Sequence, residues 1–162
     1  MAGQGSDSWG VGLLSNSTIQ SNGNITVTGT SQGSINSTTN YGIYADTNSS
    51  IKSTGNGSVN VTGTGGIGAS SNSGIFVTGA GSAIASNNGN LSVTGTCRGT
   101  GTVNHGVFLS NSATINSSGD GTVTIIGTGS GTSSDGIRID GSGSKIQSNS
   151  GTINLTGTAS VL

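Results

Sequence analysis

Tyr41-Gly42-Ile43-Tyr44-Ala45, then Ile51, then Val59-Asn60-Val61-Thr62-Gly63-Thr64 are three short elements in fixed order. The first opens on a glycine and then alternates aliphatic residues. The second is one isoleucine in a polar stretch. The third is an alternating aliphatic pair closed by Thr-Gly-Thr. Alternation with period two marks a strand with one buried face. The same triplet precedes it as Trp9-Gly10-Val11-Gly12-Leu13, Ile19 and Ile25-Thr26-Val27-Thr28-Gly29-Thr30. It returns as Ser73-Gly74-Ile75-Phe76-Val77, Ile84 and Leu91-Ser92-Val93-Thr94-Gly95-Thr96. The fourth copy is His105-Gly106-Val107-Phe108-Leu109, Ile115 and Val123-Thr124-Ile125-Ile126-Gly127-Thr128. The fifth is Asp135-Gly136-Ile137-Arg138-Ile139, Ile146 and Ile153-Asn154-Leu155-Thr156-Gly157-Thr158. The opening glycines are separated by 32, 32, 32 and 30 residues.

Self-similarity at this period is the signature of a repeat architecture. Three strands per copy predict an all-β, right-handed parallel β-helix, a three-sided solenoid of about five rungs of 28–32 residues. Residues 1–8 read as an N-terminal extension. Residues 9–162 read as a single domain of five repeats, 9–40, 41–72, 73–104, 105–134 and 135–162. Rungs would stack at ~4.8 Å, the sheet spacing. A single rung cannot bury its own aliphatics, but stacked rungs share one narrow core. Gly and Asn fill the gap between the second and third strands, as in Asn22-Gly23 and Asn88-Gly89, which predicts a tight corner using positive φ. The longer gap after Thr-Gly-Thr, such as 31–40, predicts a surface loop. A helical reading fails because Gly, Ser, Thr and Asn are poor helix formers and no 3.6-residue stripe exists. An immunoglobulin-like sandwich would not explain strands that repeat as triplets in fixed order.

Composition agrees with a thin core. Only 28% of residues are hydrophobic, too few for a thick globular interior. Yet the net charge is −1 and proline is absent, unlike most disordered chains. The scattered charges offer no basic patch for nucleic acid or anionic lipid, and no stretch reaches the length of a membrane span. Met1 to Gly10 shows no apolar core of a secretion signal. Cys97 is alone, so no intramolecular disulfide or cysteine-based metal site is expected, and no cofactor is implied.

The Gly-aliphatic-x-aliphatic opening, the lone Ile and the aliphatic-x-aliphatic-Thr-Gly-Thr close resemble the haemagglutinin-type repeats of large secreted bacterial adhesins. Filamentous haemagglutinin and autotransporter passengers carry such repeats. The resemblance covers residues 9 to 158. It implies export to the cell surface or beyond, a rod-like stalk and surface attachment. The expected partners are like chains or neighbouring repeats stacked end to end, with a host or surface glycan as a further candidate. The expected function is structural and adhesive, either a rod segment or a subunit stacking into a filament.

Two outward faces are candidate sites. If Ile25 and Val27 point inward, then Thr26, Thr28 and Thr30 point out, followed by Thr62 and Thr64, Thr94 and Thr96, Thr128, and Thr156 and Thr158. This threonine array resembles the ice-binding faces of β-helical antifreeze proteins, and ice binding is the alternative function. The plainer account is that threonine is a good exposed strand residue. Asn60, Ser92, Ile126 and Asn154 interrupt the array. On the first strand, Gly12, Tyr44, Phe76, Phe108 and Arg138 form an outward ladder. Tyr44, Phe76 and Phe108 are a candidate lateral contact.

A catalytic reading is a distant third. Polysaccharide-active β-helix enzymes work with clustered carboxylates. This chain has no Glu and five Asp, at 7, 46, 120, 135 and 140. Asp135 and Asp140 could lie near each other, but His105 and Asp135 share a repeat slot with Trp9, Tyr41 and Ser73, so repetition explains them. No enzymatic activity is expected. Asp120 hints at a calcium-binding repeat, but its equivalents Asn22, Asn56 and Asn88 are neutral. Asn-x-Ser/Thr triplets at Asn16, Asn24, Asn36 and Asn48 are expected by chance in this composition.

Overall fold

The computed structural model describes residues 7–160. Most of the predicted N-terminal extension, residues 1–6, lies outside the described residues, as do residues 161–162 of the fifth repeat. Among the described residues there are fifteen strands and no helix. The first rung comprises β1 (Trp9–Leu13), β2 (Thr18–Ser21) and β3 (Ile25–Thr30). The second has β4 (Tyr41–Ala45), β5 (Ser50–Ser53) and β6 (Val59–Thr64). The third has β7 (Ser73–Thr78), β8 (Ala83–Ser86) and β9 (Leu91–Thr96). The fourth has β10 (His105–Ser110), β11 (Thr114–Ser117) and β12 (Val123–Ser130). The fifth has β13 (Ile137–Ile139), β14 (Lys145–Ser148) and β15 (Ile153–Ser160).

Corresponding strands pair in parallel into three five-stranded sheets, so the expected parallel solenoid of about five turns is the fold. The register keeps like on like. Ile19, Ile51, Ile84, Ile115 and Ile146 form one column of the second sheet. Val27, Val61, Val93, Ile125 and Leu155 form one column of the third. The core is therefore a narrow shaft of aliphatic ladders. Its middle rungs are sealed, and Ile43, Ile75, Val107 and Ile84 are all fully buried. In the fifth rung Ile139, Ile153 and Leu155 are 46%, 40% and 50% exposed.

The corners depart from expectation. None of the described residues between the second and third strands takes a positive φ. Glycine is required there by crowding. A Cβ at Gly57 would lie 2.0 Å from the Gly23 carbonyl, and one at Gly89 2.2 Å from the Gly57 oxygen. Successive backbones stack at this corner too closely for a side chain. Positive φ occurs instead between the first and second strands, at Ser15 and Asn16, Thr47 and Asn48, and Asn111 and Ser112. It recurs just before the first strand, at Asp7, Thr39, Ser71, Val103 and Ser133.

The connection after Thr-Gly-Thr is also more than a surface loop. Thr38, Ser70, Thr102 and Thr132 are joined by parallel bridges from rung to rung. Beside them Asn40, Asn72 and Asn104 are fully buried. Asn40 Nδ2 donates to Asn72 Oδ1 at 2.8 Å, and Asn72 Nδ2 donates to Asn104 Oδ1 at 2.9 Å. The backbone N–H groups of Asn40 and Asn72 donate to the same two oxygens. Buried amides are tolerated because their neighbours satisfy them, and the connections stack as regularly as the strands. Arg98 adds a staple across rungs, donating to the Gly65 carbonyl at 3.1 Å and the Ser31 carbonyl at 2.9 Å.

Candidate functional site

The threonine face has the geometry its spacing predicts. Thr28, Thr62, Thr94, Ile126 and Thr156 share one row of the third sheet. Thr30, Thr64, Thr96, Thr128 and Thr158 share the next. Thr26 begins a third row, continued by Asn60, Ser92, Thr124 and Asn154. All these side chains are exposed or half-buried on the outer surface. Ile126 breaks the hydroxyl row and is itself 43% exposed.

The first sheet carries the denser chemistry. Gly12, Tyr44, Phe76, Phe108 and Arg138 are in register, as the repeat predicts. Phe76 and Phe108 are parallel, 4.7 Å between ring centroids and 6° between planes. Tyr44 lies 5.6 Å from Phe76, and the Arg138 guanidinium sits 5.8 Å above Phe108.

A second column joins this ladder, which the alternation pattern did not reveal. Trp9 and Tyr41 precede the corner glycine and would face inward in a strict period-two strand. Instead Trp9 packs on Tyr44 at 4.8 Å, and Tyr41 on Tyr44 and Phe76 at 5.3 and 5.2 Å. His105 packs on Phe108 at 5.1 Å. A Cβ at Gly42 would sit 2.2 Å from the Thr64 nitrogen, where the third strand closes on the first. The preceding rings pack against the outward ladder, with Tyr41 and His105 themselves buried. All five aromatic residues of the chain and its one histidine thus lie in a single stripe. The available signal was the recurrence of aromatic rings in the slot before the glycine.

The stripe is bordered by charge. The Tyr44 hydroxyl donates to Asp46 Oδ2 at 3.4 Å. Burial, with Tyr44 and Asp7 nearby, pushes the Tyr41 phenol up to about 12. Arg138 bridges Asp135 and Asp140, with both N···O distances 3.2 Å. The hydrogen bond from Arg138 holds the Asp140 carboxyl below its ordinary value. Asp135 and Asp140 are therefore brought together through one guanidinium.

His105 is 1% exposed. Its Nδ1 accepts a hydrogen bond from the Asp135 backbone N–H at 3.0 Å. A neutral ring accepting at Nδ1 carries its proton on Nε2, a tautomer assigned from the hydrogen bonding. Nε2 has no partner among the described residues. Burial lowers the His105 pKa, Asp135 opposes the shift, and Arg138 adds to it.

Cys97 is buried, and its thiol donates to the Asn72 carbonyl at 3.2 Å. Burial pushes it up to about 11, which leaves it a structural thiol rather than a nucleophile.

The fold and its two patterned faces define a repeat protein of the parallel β-solenoid class. No family model, no curated protein and no solved structure matches the chain.

Proposed function

We propose that this chain is a rod-forming structural and adhesive module of the cell surface or extracellular space. It acts as a segment of a surface adhesin or as a subunit stacked end to end. The carrying observation is the fifth rung, where Ile139, Ile153 and Leu155 stand exposed at positions that the middle rungs bury. Those side chains lie in core columns, so the surface most complementary to them is another rung of the same repeat. That rung could belong to the same polypeptide or to a second copy. Unbroken register supports mechanical continuity, and short corners offer few sites for proteolysis. Arg138 pairs with both Asp135 and Asp140 and holds the Asp140 carboxyl below its ordinary value, an arrangement suited to surface structure rather than to proton donation. No catalysis is assigned.

Negative-stain electron microscopy across a concentration series tests the assembly. Unbranched fibres one solenoid wide are expected, lost in Leu155→Asp. Discrete short particles at every concentration would remove end-to-end stacking between chains and leave the segment reading.

The threonine grid favours a second reading, ordered-water or ice binding, because its rows keep register over five rungs. Thermal hysteresis that vanishes in the double variant Thr62→Tyr, Thr94→Tyr would establish it. A freezing profile equal to that of an inert protein would dismiss it.

A further inference from the structure

The two ends of the solenoid are different surfaces. At the fifth rung Ile139, Ile153 and Leu155 protrude, 46%, 40% and 50% exposed. Every residue of β15 is exposed, and the strand pairs only with β12 among the described residues. A long apolar strand edge of this kind is a template for another strand. At the first rung Leu13, Ile25 and Val27 are buried, and Val11 and Ile19 are half-buried. That end presents strand edges rather than protruding side chains. Two fifth rungs would set protruding aliphatics against each other, whereas a first rung meets them with a flatter face.

The columns continue across such a joint. One further step of the rung-to-rung register places Ile137 on Val11, Ile139 on Leu13, Ile146 on Ile19 and Leu155 on Val27. The coil also closes alike at both ends. A Cβ at Gly10 would lie 2.1 Å from the Thr30 nitrogen, and one at Gly136 2.2 Å from the Thr158 nitrogen. Those matches are shared by every pair of rungs. Arg138 adds one that only this joint has. It is the charged member of the column Gly12, Tyr44, Phe76, Phe108 and Arg138. Its guanidinium lies 5.8 Å over the Phe108 ring, with the side chain still 43% exposed. In the first rung this slot holds Gly12, and Trp9 lies over it, since a Cβ at Gly12 would come within 2.8 Å of Trp9 Cε3. Trp9 in turn packs on Tyr44. A first rung seated on the fifth therefore brings an indole to the guanidinium at about one rung spacing, ~4.8 Å. Arg with Trp is the most favourable cation–π pairing.

We propose that the fifth rung receives the first rung of a second copy in unbroken parallel register, with Arg138 lying between its own Phe108 and Trp9 of the second copy. This rests on the end-to-end reading above and adds the mating surface and its register. The contact is heterologous, so it repeats from copy to copy.

The test is oxidative cross-linking of the double variant Thr28→Cys, Thr156→Cys, beside electron microscopy of the same preparation. Both positions are exposed on the outer surface. Within one chain they are four rungs apart, roughly 19 Å at ~4.8 Å per rung, beyond the reach of a disulfide. At a joint in register they stand opposite each other, about one strand spacing apart and within that reach. The native Cys97 is buried. A ladder of cross-linked oligomers is expected, and it should be absent from either single variant. Arg138→Gln in this background should raise the concentration for half-maximal cross-linking about fivefold, the scale of one cation–π contact. Fibres without the ladder would overturn the register and leave end-to-end rods standing. Absence of both fibres and ladder would overturn the two together. Cross-linking of Thr156→Cys alone as fast as that of the double variant would show fifth rungs meeting each other and overturn the proposal. An unchanged half-maximal concentration in Arg138→Gln would remove Arg138 from the joint.

Discussion

Val103 occupies the left-handed step that precedes each first strand. Asp7, Thr39, Ser71 and Ser133 hold the same step in the other rungs. Asp and Ser suit it better, because short polar side chains bond locally and a β-branched one crowds the backbone. Val103→Asn is therefore expected to stabilise the fold by about 1 kcal/mol, read as a higher midpoint in thermal or denaturant unfolding. His105 makes a separate prediction about pH. Its folded pKa lies below the ordinary 6.5, so the unfolded chain takes up the proton first as pH falls. The stability of the buried neutral ring is complete above pH 6.5 and is lost as pH falls through the folded value. Unfolding midpoints should fall over that interval in the native chain and stay level in His105→Phe. The Asp140 carboxyl beside Arg138 is held below its ordinary value of 3.8.

The asparagine ladder shows how an element is assembled from repetition. Each Asn side chain donates up the stack and accepts from below, so the run is directional. It ends where the slot changes. Ser134 takes the next position and accepts only the Asn104 backbone N–H, at 2.9 Å. Asn104 Nδ2 and Asn40 Oδ1, at the two ends of the ladder, have no partner among the described residues. Ser134→Asn should extend the ladder and pair Asn104 Nδ2, with a gain of about 1 kcal/mol in denaturant unfolding. Asn72→Leu should cost roughly 2–4 kcal/mol. It strands the backbone N–H of Asn40, at ~1–3 kcal/mol for a buried unpaired donor, and leaves Asn40 Nδ2 only its bond to Ser37 Oγ. A loss below 0.5 kcal/mol would show that water reaches the ladder.

At the scale of the molecule, each rung touches its neighbours and little else. Stability in such arrays is close to a sum of rung terms and nearest-neighbour interfaces. The repeats 41–72 and 73–104 are of equal length, so deleting residues 73–104 joins Asn72 to His105 without changing phase. The shortened chain should fold as a four-rung solenoid with a lower midpoint and a smaller denaturant dependence. Its circular dichroism should keep the same β signature. Deleting 16 residues instead, 73–88, breaks the phase and should leave the C-terminal rungs unfolded.

Several features were legible in the chain before any coordinates. Alternating Ile, Val and Leu at a fixed period specify strands, their inward faces and their register, because a one-residue slip would expose every aliphatic. The threonine rows and the Tyr44, Phe76 and Phe108 ladder follow from that register alone. The corners did not follow, because glycine is used for two reasons that look alike in a sequence. At Gly57 and Gly89 it yields to backbone crowding between rungs, which only stacking reveals. The second aromatic column, with Trp9, Tyr41 and His105, depends on how its rings pack against the ladder, which no local pattern encodes. Sequence period determined which residues share a column. Three-dimensional closure of the coil decided which columns meet, because contact between them depends on how the third strand packs against the first.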